Sequence, residues 1–177
     1  MPAGKNALLF RLAGNKLYKK EPKNMNNGIE RIQKTRIHLL KLIEDLNTDD
    51  LNKIPVGFNN NIVWNIGHLI ASQQSICYLR TGVQPFVDEK YLSLYKPGTK
   101  PLGILPEADI LLMKELFLEA IEQFGTDFDA GLFSTCPHWT TGYGIEIHNI
   151  DDAINFDLFH EGLHRGYIMA MRRTLHV

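Results

Sequence analysis

Near the C-terminus, "FDLFHEGLHRGYIMAMRR" places His160, Glu161 and His164 in the order H-E-x-x-H. Two histidines four positions apart on a helix stack one above the other, so their ring nitrogens can converge on one cation. With a glutamate after the first, the string is that of a zinc peptidase. The rest of the chain does not supply such an enzyme. The extended peptidase pattern needs a glycine three residues after the second histidine and another histidine three beyond it. Tyr167 and Ala170 stand there instead. No carboxylate side chain follows in "RGYIMAMRRTLHV", and nothing suggests a sheet to bind an extended peptide. A third ligand must therefore come from upstream. His68, in "NNNIVWNIGHLIASQQS", is the best placed, in mid-helix with Trp64 one turn before it and Ser72 one turn after. His138 and His148 fall in the loop before the last helix, and His38 among the charged positions of the first, so all three are weaker candidates. A lone histidine on an apolar face is ordinarily a core residue; the pairing with His160 and His164 is what promotes His68.

The elements that must hold these residues are helical. Ile29, Ile32, Leu39, Leu40, Ile43 and Leu46 recur at helical spacing and predict a first helix from about Gly28 to Leu46. Asn61 is a good N-cap for a second helix reaching about Leu79. A long Pro- and Gly-rich connection then leads to a third helix, opened by Pro106 and ended near Phe124, before Gly125. A further irregular stretch, with β-branched and aromatic residues suited to a small hairpin, precedes a fourth helix from Asp151 and Asp152 to about Leu175. On that last helix Phe156, His160, Leu163, His164, Tyr167, Ile168 and Met171 share one face, expected to look inward. The architecture this predicts is all-α, a four-helix bundle with a long connection between helices 2 and 3.

Composition narrows the function classes. The chain has 177 residues, enough for one domain with its own core. A net charge of −1 gives no reason to expect nucleic acid, and the absence of a long apolar run predicts no membrane span. Two cysteines, Cys77 and Cys136, suit a reducing compartment, so a cytoplasmic location is expected. Charge is unevenly spread. Residues 1–24 hold six basic side chains against Glu21 alone and read as a basic N-terminal appendage to a domain spanning residues 25–177.

"WNIGHLIASQQ" together with "FHEGLHRGYIMAMRR" resembles the DinB-like superfamily, damage-inducible bacterial four-helix bundles with one histidine on the second helix and H-x-x-x-H on the last. The matching positions are His68, His160 and His164, followed by Arg165 and Gly166. The resemblance implies that these three bind a divalent metal, often zinc or nickel, and leave positions open to water. It also implies a metal-dependent thiol S-transferase or hydrolase, since relatives use bacillithiol or mycothiol. Expected partners are a small-molecule thiol and an electrophile, and a homodimer fits the family's habits. The alternative is a non-catalytic metal-binding or interaction bundle. Glu161 has two readings: a general base beside the metal, or a solvated carboxylate on the helix flank. Trp64, Trp139, Tyr143 and Tyr167 are candidate pocket walls.

Overall fold

A computed structural model describes residues 26–175. The basic appendage expected at residues 1–24 lies outside the described residues. Four long elements dominate: α1 (Asn27–Leu42), α3 (Ile62–Gln73), α5 (Glu107–Asp129) and α6 (Ile150–Arg173). Two short helices, α2 (Thr48–Asn52) and α4 (Glu89–Tyr95), occupy stretches that the sequence marks as irregular. Each is opened by a side-chain cap, Asn47 accepting from the Asp50 amide and Asp88 from the Tyr91 amide. A two-stranded antiparallel hairpin, β1 (Trp139–Thr140) with β2 (Glu146–Ile147), lies in the loop before α6.

Asn26, Asn61 and Asn149 cap α1, α3 and α6 by accepting backbone amides, which fixes where three of the long helices begin. The third long helix overruns the expected stop at Gly125. Gly125 is buried inside α5, and the helix runs about one turn further to Asp129, with Gly131 just beyond it closing a left-handed cap at a φ of 75°. There the Gly131 amide bonds the Phe128 carbonyl and the Leu132 amide that of Asp127, the pairing of a Schellman motif.

Helix α1 packs on α5 and α6, and α3 packs on the same two. The first two long helices are thus diagonal to each other, a placement that the intervening α2 and its loop permit. Every residue of α3 is buried, because α2 and α4 cover the sides that α5 and α6 leave open. For the same reason Gln73 and Gln74 are both interior, although adjacent positions on an exposed helix could not be. Gln74 donates to Gln73 and accepts the Phe86 amide from the long connection, just where the helix loosens into a π-helical turn (Gln74–Tyr78).

At the centre of the bundle lies a buried charge network. Arg36 of α1 is fully buried. It donates to Glu161 of α6 at 2.8 Å, to the Phe117 carbonyl of α5 at 2.8 Å and to the Leu69 carbonyl of α3 at 3.4 Å. Its guanidinium also lies 4.5 Å from the Phe117 ring centre. One side chain thereby ties all four long helices together. Asp157 lies in the same interior, where burial and the neighbouring Glu161 charge push its carboxyl well above the ordinary range. Two buried acids thus share one arginine, which Glu161 pairs directly and which also favours the Asp157 anion against the burial that opposes it.

Candidate metal centre

His68 comes from the middle of α3, while His160 and His164 come from successive turns of α6. The ring centres of His68 lie 5.2 Å from those of His160 and 4.7 Å from those of His164, and the two α6 rings are 4.6 Å apart. One ring nitrogen from each histidine falls within 4.8 Å of the others. The α3–α6 packing, rather than any local turn, creates this convergence.

Two of the three rings are oriented by hydrogen bonds on the side away from the cluster. His68 Nδ1 lies 2.7 Å from the Tyr95 carbonyl, which can only accept, so Nδ1 carries the proton and Nε2 keeps its lone pair. His164 Nδ1 meets Asn65 Oδ1 at 2.8 Å. The Asn65 amide nitrogen donates to the Asn61 carbonyl, which fixes its orientation and leaves Oδ1 as acceptor for an Nδ1–H. Both rings therefore aim an unprotonated Nε2 inward. Fixing ring tautomers through an outer hydrogen bond is how metal-binding histidines are held. Asn65 has no place in a purely apolar α3, and that mismatch in "VWNIGH" was its signal in the sequence.

The approach of α4 depends on Gly67. A Cβ there would meet the Tyr95 ring at 2.5 Å, so only glycine allows the carbonyl end of α4 to reach His68. Trp64 stacks on the outer face of the same imidazole, 4.8 Å away and tilted by 9°, and donates to Thr99.

Electrostatics keep the cluster neutral. Burial lowers the pKa of His68, although its bond to Tyr95 pulls the other way. Burial and the neighbouring histidines bring His160 down to about 4 and His164 to about 3. Neutral imidazole is the form that binds metals. His160 Nδ1 is buried without a hydrogen-bond partner among the described residues, and the Ser72 hydroxyl lies 3.2 Å from His68 Nε2. Three neutral nitrogens facing one point fit a divalent cation with positions left for an outside ligand.

The histidines line the floor of an open cleft of about 500 Å³. Trp139 and Tyr143 of the hairpin, with Phe156 of α6, form its apolar walls; Ser72, Ser75, Arg80 and Lys96 supply polar groups. Among the described residues no carboxylate lines it. Arg80 lies over the Trp139 ring at 4.6 Å, which holds its guanidinium beside the opening.

Other candidates go elsewhere. Glu161 is neither beside the cluster nor solvated: it is 0% exposed and paired with Arg36. The position after His160 turns about 100° around the helix, and here that rotation leads to the bundle axis. Tyr167 is 38% exposed and packs edge-on to Phe58 at 5.0 Å, away from the cleft. Leu163, expected inward, is also exposed. Trp64 backs His68 but lines a neighbouring cleft instead. Among the described residues no helix is long and apolar enough to cross a membrane.

No curated protein matches the sequence. Among solved structures, YfiT from Bacillus subtilis is similar, at 18% identity over 87% of this chain and 91% of that one, with a TM-score of 0.48. It is described as a probable metal-dependent hydrolase with an unusual four-helix bundle topology. The family model for the DinB superfamily matches residues 31–168, and the chain belongs to that superfamily.

Proposed function

We propose that this protein is a metal-dependent enzyme acting on a small anionic molecule, with His68, His160 and His164 holding zinc or nickel. The observation that carries the reading is three neutral imidazoles converging under an open cleft that has cations at its rim and, among the described residues, no carboxylate. A divalent cation in that position supplies Lewis acidity, which can bring the pKa of a thiol or of water close to neutrality. The chain's own residues bind and orient. Arg80 and Lys96 suit a carboxylate or phosphate on the substrate, while Trp139, Tyr143 and Phe156 cover its apolar part and limit access of water. Glu161 takes no part as a base, because its charge is committed to Arg36. Among the chemistries open to such a site, thiol transfer to an electrophile is favoured over hydrolysis, since a thiol is far more acidic than water and the cationic rim of Arg80 and Lys96 further favours its anion.

The test begins with metal content by elemental analysis of protein purified without a histidine tag, beside H160A/H164A. Near-stoichiometric zinc or nickel, lost in the variant, is expected. Conjugation of acidic low-molecular-weight thiols to a generic electrophile should then depend on the metal and fall in Arg80→Ala. A parent that takes up no added metal, or whose conjugation rate is the same as that of H160A/H164A, would sink the proposal.

A further inference from the structure

The hairpin carries a second group of donors on its outer face. Its register pairs Trp139 with Ile147 and Thr140 with Glu146, so the next rung sets His138 opposite His148. Side chains alternate along a strand, which puts His138, Glu146 and His148 on one side and Trp139 and Ile147 on the other. Ile147 is fully buried against the body of the protein, and all three donors are exposed. The two imidazoles stack 4.6 Å apart at 16°, and His148 Nε2 is 3.4 Å from the Glu146 carboxylate. One ligand atom from each lies within 4.8 Å of the others.

We propose that this face is a second divalent-cation site, distinct from the cluster on α3 and α6, and that it takes a borderline metal such as zinc or nickel. Two imidazoles and one carboxylate make a donor set for such metals rather than for calcium or magnesium, which prefer all-oxygen ligands. An ion pair accounts for Glu146 and one imidazole only. It leaves His138 stacked alongside with no hydrogen bond of its own among the described residues, whereas a cation between the strands uses all three donors.

The backbone beneath them is already fixed. The Thr141 hydroxyl accepts the Tyr143 and Ile145 amides across the turn, and the Thr141 amide bonds the Ile145 carbonyl. The His148 amide donates to Asp152 at 3.0 Å, anchoring the strand end to the first turn of α6. Small rotations of exposed side chains therefore suffice to close the site.

The consequence reaches the cleft, because the same hairpin presents Trp139, Thr141 and Tyr143 to it. A cation joining residues 138 and 148 clips the two strands together and makes opening of that wall harder as free metal rises.

The test is a calorimetric titration of the metal-stripped full chain, without a tag, with Zn²⁺. H138A/H148A should bind one equivalent fewer than the parent, while H160A/H164A keeps the equivalent that H138A/H148A loses. Glu146→Gln should weaken it by about tenfold or more. Because H138A/H148A alters only exposed positions, it gives a reading even if H160A/H164A misfolds. The proposal is overturned if H138A/H148A binds as many equivalents as the parent, or if folded H160A/H164A binds none.

Discussion

Two buried polar residues of α3 and α6 have opposite jobs, and substitution separates them. Asn65 orients His164 without carrying charge, so Asn65→Ala should lower metal affinity by about 10–100-fold, the usual cost of losing an outer hydrogen-bond partner. Glu161 neutralises Arg36, and Glu161→Gln breaks that buried ion pair, a change that costs about 3–5 kcal/mol less whatever Asp157 recovers by ionising beside the same guanidinium. Competition against a chromophoric chelator reads the first effect and urea unfolding the second. A Glu161→Gln protein with full stability and reduced metal binding would reverse these assignments. Why the sequence misplaced Glu161 is also visible at this scale. A carboxylate after a histidine looks like a flank residue until its partner, 125 positions earlier in the chain, is known.

At the scale of the element, α3 and α4 are matched through one missing methyl. In an ordinary helix, replacing glycine by alanine stabilises by about 1 kcal/mol. At Gly67 the added Cβ would sit 2.5 Å from the buried Tyr95 ring, and overpacking of that kind costs about 1–3 kcal/mol. The clash should win, so Gly67→Ala is expected to lower Tm and to weaken metal binding together, because displacing α4 removes the Tyr95 carbonyl from His68. Raised Tm with intact metal affinity would show that α4 can move aside freely. Helix α4 itself was hidden in the sequence among Pro and Gly, since seven residues are too few for a periodic pattern to stand out.

For the molecule as a whole, the buried titratable groups make stability depend on pH in two opposing ways. His160 and His164 have folded values near 4 and 3, below the ordinary imidazole value. Between those values and about 6.5 the unfolded chain binds more protons, so the metal-free fold loses their contribution as pH falls through that window. Allowing for partial exposure, the loss is about 1 kcal/mol for each between pH 7 and 5. Asp157 acts with the reverse sign: because burial and the Glu161 charge raise its pKa in the fold, it weakens stability as pH rises above the ordinary carboxylate range. The diagnostic is thus the difference between the metal-free parent and H160Q/H164Q, followed by urea unfolding at pH 5 and 7. Relative to the variant, the parent should lose about 2 kcal/mol on acidification; equal losses would mean that the histidines are already solvated in the fold.

Local rules were enough for much of this protein. Apolar spacing, with Asn61 and Pro106 as start signals, marks four long helices, and the three histidines are legible from spacing together with the family resemblance, because i,i+4 geometry is a property of one helix. What the tertiary structure decided is which way each face turns. The inner stripe of α6 runs through Asp157 and Glu161, and apolar periodicity alone rotates it towards Leu163 and Tyr167, which are exposed. Buried charges are invisible to a hydrophobic pattern, since they become interior only where a partner such as Arg36 arrives from another helix. The same holds for His138 and His148. Read singly they are solvated loop histidines, and only the pairing of two short strands makes them neighbours.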